Sequence, residues 1–372
     1  MQIKRTIEKV PGGLMVIPLL LGAMLNTIDQ MHIPAVMDAL KSLGVSPTDK
    51  GHYEFLRIGG FSEELFKTGA LTLIALFLFC CGSQMNLRVG GTALKKGALL
   101  TASKYFTGVA VGFLWGTLSG DMMSGFLGLS TVAIIAAMTN GNGGMYAALT
   151  SQYGNRSDVG AVAVLSLNDG PFFTLMALGM LGAKFPIIAF IAVLLPIGIG
   201  MLLGNLDPEI REFLKSGEIL PVPFFAFALG AGMSFTNFFK PEVVTAGLAL
   251  GIMTTVLTGL TGMLVFKIFR EKSGIAPVAE ASTAGNAVGT PAAIAAAASV
   301  AAGSGMMSQA EAQAYQNLVE TATAQISIST LTTAILCPVA VILVDKWQRK
   351  KGIDGRAEEP QSPEHRSNAS AT

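Results

Sequence analysis

Ala137-Met138-Thr139-Asn140-Gly141-Asn142-Gly143-Gly144 interrupts one long apolar stretch of the chain, and Ser282-Thr283-Ala284-Gly285-Asn286-Ala287-Val288-Gly289-Thr290-Pro291 interrupts another. Aligned on Thr-x-Gly-Asn, the two interruptions stand 144 residues apart, Thr139 against Thr283. A backbone broken within a bilayer exposes N–H and C=O groups that lipid cannot satisfy. Such a break survives only where it is buried in protein or lines a wet cavity. A matched pair, one per half of a chain, is the sequence pointer to the binding site of a secondary transporter. The pair predicts an all-α integral membrane protein that works as a carrier.

Composition agrees. The chain is 51% hydrophobic and 13% charged, where a soluble domain carries about 25% charged residues. The net charge of +1 gives no reason to expect nucleic acid. Cys80, Cys81 and Cys337 lie inside apolar runs in no disulfide or zinc pattern and read as small packing residues. Lys4, Arg5 and Lys9 before an apolar run imitate a signal peptide. The run continues to Ile28 with no small-x-small site close behind, so it reads as a retained first membrane helix.

Runs of about 17–25 mostly apolar residues fall at 12–28, 65–86, 97–118, 122–153, 159–181, 185–204, 219–236, 241–269, 276–302 and 315–344. The fourth and ninth are the broken ones. Basic residues gather on one side of this layout, at Lys95, Lys96, Arg156, Arg211, Lys272 and Lys346–Lys351 among others, which predicts both termini in the cytoplasm. The stretch 29–64 is expected outside, with room for an interfacial helix. Phe77-x-Phe79-x-x-Gly82-x-x-Met85 recurs as Phe225-x-Phe227-x-x-Gly230-x-x-Met233, and Thr101-Ala102 as Thr245-Ala246. Five spans per copy is an odd number, so the copies enter from opposite sides and form an inverted repeat. The expected organisation is a cytoplasmic N-terminus (1–11), a first repeat (12–181), a second (185–344) and a disordered cytoplasmic tail (345–372).

At each break one half-helix ends in free carbonyls, which suit a cation, and another begins with free N–H groups, which suit an anion. Thr290 is expected to cap the restart in the ninth span, with Pro291 in the first turn; Gly143 and Gly144 allow the turn in the fourth. Thr139, Asn140, Asn142, Gly143, Thr283, Asn286, Thr290 and Asn168 are the candidate binding residues. The alternative for each Asn is that it only satisfies the crossing backbone. Ionisable groups within spans are costly, which makes Glu280, Asp169 and Glu320 the candidates for the coupling ion. The bland alternative is a structurally paired or protonated acid. Lys104, two turns into the third span, is a further ionisable suspect, with snorkelling to the cytoplasmic interface as its bland alternative. Gly108-x-x-x-Gly112-x-x-x-Gly116 and Gly247-x-x-x-Gly251 read as faces for close helix packing.

The opening Ile3-Lys4-Arg5-Thr6-Ile7-Glu8-Lys9-Val10-Pro11-Gly12-Gly13-Leu14-Met15-Val16-Ile17-Pro18-Leu19, the Thr-Asn-Gly-Asn-Gly-Gly knot and Asn168-Asp169-Gly170-Pro171 resemble the bacterial 2-keto-3-deoxygluconate permeases. The similarity covers nearly the whole chain apart from the tail. It implies proton-coupled uptake of a sugar-acid anion across the inner membrane. More distantly the layout is similar to the bile acid:sodium symporter fold. That likeness implies a core of spans 3–5 and 8–10 and a panel of spans 1, 2, 6 and 7. The sodium-coupled relatives place an acid before the ninth-helix crossing, as Glu280 stands here, and a polar Asn at each crossing, as Asn142 and Asn286 stand here. The surrounding residues differ, so sodium ligation is not carried over.

A channel and an intramembrane enzyme are the readings from other classes. Paired breaks argue against a simple pore. His-Glu-x-x-His and Gly-x-Ser-x-Gly are both missing, and His32, His52 and His365 lie outside the spans. No cofactor is expected beyond the coupling ion, a proton with sodium as the alternative; the partners are a small anionic substrate and the lipid bilayer.

Overall fold

The computed structural model describes residues 2–10, 13–48, 50–85, 91–165, 168 and 170–357. They are helical with no strand among them. Helices satisfy every backbone group within the segment, which is what a bilayer demands.

Twelve helices position the site. They are α1 (Gly13–Asp29), α2 (Ala70–Gln84), α3 (Gly91–Ser119), α4 (Thr131–Thr139), α5 (Gly143–Tyr153) and α6 (Phe172–Met180). The others are α7 (Ile187–Leu206), α8 (Val222–Gly230), α9 (Pro241–Ile268), α10 (Ile275–Ala279), α11 (Thr290–Gly303) and α12 (Gln309–Arg349). Among the described residues, six helices are long and apolar enough to cross a membrane, or eight if each of two bent pairs counts as one span. The expected spans without such a helix are the fourth and fifth. The fourth is divided at Asn140–Asn142 into α4 and α5, and the fifth into Arg156–Gly160, Val162–Leu165 and α6.

The helices fall into two groups that share one hydrophobic core. In the first, α1 lies against α8, and α2 lies against α7 and α8. The contacts are close enough to need glycine. A Cβ on Gly22 would stand 2.2 Å from the Phe227 carbonyl, and one on Gly230 would stand 2.0 Å from the Leu19 carbonyl. On the other pair, a Cβ on Gly82 would meet the Ile197 carbonyl at 2.2 Å, and one on Gly200 would clash with the Phe79 carbonyl.

In the second group, α3 packs on α4 and α9, while α9, α10 and α11 pack on α12. The two small-residue ladders serve these contacts. Gly108, Gly112 and Gly116 receive Thr139, Ile135 and Thr131 of α4; Gly247 and Gly251 receive Ile328 and Thr332 of α12. Every residue of α4 is buried, as expected of a helix apolar all round.

After α1 the chain turns by 91° into Pro34–Ser42, a short helix in the stretch where an interfacial helix has room. Asp29 ties this region down: its carboxylate accepts the Phe55 and Leu56 N–H groups at 2.8 and 3.0 Å. At the other end α12 continues past the expected boundary at 344 to Arg349, where Arg349 Nε donates to Asp345 at 2.9 Å. The next residues fold back on α5: Arg356 Nε donates to the Gln152 carbonyl, and Asn155 Nδ2 donates to that of Ala357. The rest of the expected tail, 358–372, lies outside the described residues.

Candidate functional site: the crossing of two broken helices

The two interruptions meet. The Ala284 N–H donates to the Asn140 carbonyl at 3.1 Å, and the Asn142 N–H donates to Ser282 Oγ at 3.0 Å. Each break thus satisfies part of the other's exposed backbone, as buried polar groups require. Helix α4 is capped at its start by Ser130 and ends at Thr139; Asn142 caps α5 by accepting the Met145 N–H at 3.0 Å.

The polar run on α12 holds the second break from behind. Thr333 Oγ1 accepts the Thr283 N–H at 3.0 Å, Ser329 Oγ lies 2.8 Å from Thr283 Oγ1, and Thr330 Oγ1 donates to the Ala284 carbonyl at 3.2 Å. These hydroxyls, buried in an apolar core, have backbone to bond instead of water.

A cavity of about 490 Å³ opens beside the crossing. One wall is Gly141, Asn142, Gly143, Gly144, Ala284, Gly285 and Asn286. The facing wall is Phe77 and Cys81 of α2 with Ile219 and Val222, and Glu218 brings a carboxylate to it. No lysine or arginine stands in this wall among the described residues. The positive potential available to a ligand comes from the start of α5 and from the amides of Asn142 and Asn286.

The expected binding residues divide accordingly. Asn142, Gly143 and Asn286 face the cavity. Thr139, Asn140 and Thr283 are buried in the crossing, where Asn140 Nδ2 donates to the Gly170 carbonyl at 3.3 Å. Asn168 lies behind it and donates to Glu280 Oε1 at 3.2 Å.

Thr290 does not cap α11. The chain enters that helix through the 3-10 turn Gly285–Gly289, so Thr290 already has helical φ/ψ of −61° and −44°. It therefore lacks the extended backbone a capping residue needs. Its hydroxyl is buried with no hydrogen-bond partner among the described residues.

Of the expected acids, Glu280 is buried at the crossing, one residue past α10. Glu320 is not at the crossing: its carboxylate accepts the Ser234 N–H at 2.5 Å, beyond the end of α8. Asp169 lies outside the described residues.

Sequence reasoning singled out Lys104 but left it out of the candidate site. It does not snorkel. It is 2% exposed, and its Nζ lies 3.4 Å from Glu280 Oε1 and donates to the Glu280 and Ser282 carbonyls. A lysine two turns into a span, on a helix lined with small residues, is the one signal that pointed inward.

The family model for 2-keto-3-deoxygluconate permease matches residues 4–45 and 52–350. The chain belongs to the 2-keto-3-deoxygluconate permease family. It is 43% identical over 355 residues to 2-keto-3-deoxygluconate permease 1 of Salmonella typhimurium, covering 94% of this chain and 98% of that protein. It is 34% identical over 358 residues to 2-keto-3-deoxygluconate permease of Escherichia coli O7:K1, covering 94% and 95%. Membership makes this a multi-pass membrane permease and not an enzyme.

Asn142→Ala is expected to remove both the α5 cap, worth about 1 kcal/mol, and an amide from the cavity wall. Asn286→Ala removes the second wall amide. Both variants should insert and both should lose substrate-protectable labelling in membrane vesicles; normal protection in both would make the crossing purely structural.

Proposed function

We propose that this permease takes up 2-keto-3-deoxygluconate together with protons across the bacterial inner membrane. The observation that carries the reading is the cavity at the crossing, walled by a helix start and two asparagine amides, in a chain whose relatives bear that substrate's name. Helix N-termini attract a carboxylate, and side-chain amides can both donate to and accept from a polyhydroxylated ligand.

The architecture we propose is ten spans in two inverted repeats of five, with both termini cytoplasmic. The glycine contacts support it. Span two meets span six through Gly82 and Gly200, and span seven meets span one through Gly230 and Gly22. Exchanging the two repeats converts one pair into the other. The first packed group corresponds to the panel and the second to the core. Glu218 and Ile219 precede α8 at its cytoplasmic end in this orientation, so the cavity faces inward. Rocking the panel against the core would expose the same crossing to the other side.

Glu280 is the residue we assign to the coupling proton. Its Oε2 is buried without a hydrogen-bond partner among the described residues, which leaves a lone pair for a proton close to the anion site. A proton there and an anion in the cavity favour each other, and that favour is reciprocal. The test is uptake of labelled 2-keto-3-deoxygluconate into vesicles with proton and sodium gradients imposed separately. Accumulation driven by the proton gradient alone is expected. Accumulation that needs the sodium gradient would replace the coupling ion, and no saturable uptake under either would remove the substrate.

A further inference from the structure

Helix α10 stops at Ala279, and past it the Glu280 carbonyl accepts only a short turn bond from the Ser282 N–H at 2.8 Å, which leaves it and the Ser282 carbonyl room for a further donor. Unwound carbonyls and the negative end of a half-helix form the kind of place where transporters hold a cation. Here that place contains the end of a side chain. Lys104 Nζ donates to the carbonyl oxygens of Glu280 at 2.5 Å and Ser282 at 2.7 Å, with Glu280 Oε1 at 3.4 Å. Two backbone carbonyls and a carboxylate are an oxygen set suited to a hard cation. Asn168 Nδ2 holds the same carboxylate oxygen at 3.2 Å and fixes its direction. Leu100, Ser103, Thr258, Gly262 and Pro277 line, with Lys104 and Glu280, a space too narrow to hold a water molecule.

We infer that the Lys104 ammonium is a tethered cation that permanently occupies the cation site of the ninth-span break. The protein therefore loads no alkali ion there, and a sodium gradient has no purchase at this position. Lys104 is a positioning residue: it holds the carbonyls after α10, and through Ser282 it holds the start of α5 beside the cavity. The inference rests on reading the crossing as the transport site, but it does not depend on which substrate is carried.

The test uses the purified full chain in detergent and melts it in sodium, methylammonium or choline chloride at equal ionic strength. The wild-type midpoint is expected to be the same in all three salts. A rise specific to sodium would overturn the inference, and this reading requires neither a variant nor a substrate. Lys104→Ala empties the site. Its melting midpoint should fall in choline and recover saturably with sodium or methylammonium. In vesicles its counterflow of labelled 2-keto-3-deoxygluconate should drop by more than about 100-fold in choline, since breaking a buried charge pair has at least that effect. Full stability and counterflow in choline would show that the ammonium is not needed and would overturn the proposal. If Lys104→Ala does not yield folded protein, Lys104→Met combined with Glu280→Gln removes both charges. The double variant is expected to fold and to ignore the choice of salt; a sodium-specific rise in its midpoint would mean that the carbonyls bind the ion despite the filled space.

Discussion

Gly141→Ala is expected to cut uptake by about 5- to 150-fold while the protein still reaches the membrane. A Cβ at position 141 would stand 2.5 Å from the Glu280 carboxyl carbon, nearer still to Oε1 and 2.8 Å from Oε2. A flexible glutamate would simply swing away, but this one is held by Lys104 at one side and Asn168 at the other. Either the carboxylate leaves its partners or the segment between α4 and α5 moves off the crossing. Overpacking of a tight site costs about 1–3 kcal/mol, which is roughly 5- to 150-fold in any equilibrium that requires the native contact. Gly198→Ala in α7 is the control, because its Cβ would meet nothing within 4 Å and it lies outside the cavity wall. Counterflow in vesicles, corrected for the amount inserted, separates the two. Equal activity in both variants would mean that the contact between Gly141 and Glu280 has no part in transport.

Gly230→Val is expected to remove most of the folded protein. Its Cβ would lie 2.0 Å from the Leu19 carbonyl oxygen and 3.0 Å from the Ala23 nitrogen. Both neighbours are backbone in the middle of α1, so no rotamer can relieve the clash and the two helices must separate. Separation forfeits the dispersion contacts along the whole seam, which is what holds apolar helices together in lipid. The cost should reach or exceed the upper end of the usual overpacking range of about 1–3 kcal/mol. Gly232→Ala, two residues on, meets only the Leu229 carbonyl at 3.4 Å and should melt close to wild type. A comparison of melting midpoints in detergent decides the matter, and indistinguishable midpoints would refute the close α1–α8 seam.

The breaks themselves are legible in the sequence because a run of glycine and asparagine inside an apolar stretch is costly in lipid unless the backbone is interrupted there. Their internal alignment at Thr139 and Thr283 locates both. The small-residue ladders are legible because a spacing of four places glycines on one helix face. Lys104 is misleading because one-dimensional position gives depth but not direction. A lysine two turns from an interface can reach out or in, and only the carbonyls left by α10 decide it. Thr290 is misleading because its local pattern, Thr-Pro, is the same whether the helix starts there or inherits a turn from Gly285–Gly289. Glu320 looks like part of a polar face continuing to Ser329, yet α12 is long enough to serve two places. Its lower hydroxyls bind the crossing while Glu320 holds the turn after α8. Phe77, Cys81 and Val222 carry no polar signal, so nothing in the sequence marks them as a cavity wall.

The pairing of α1 with α8 and of α2 with α7 sets the order in which this protein can be finished. The ribosome delivers α1 and α2 long before their partners exist. A nascent chain that ends at residue 181 carries Gly22 and Gly82 without the Phe227 and Ile197 backbone that covers them, and an Asn140 carbonyl whose donor, Ala284, has not been made. No prefix of the chain is therefore a finished object that quality control could inspect and pass. The first half must wait, inserted but unassembled, and the last helix to arrive brings the hydroxyls that close the crossing. Premature termination anywhere before α12 should leave a membrane protein fit only for degradation, so half-length products are expected to be cleared rather than to accumulate.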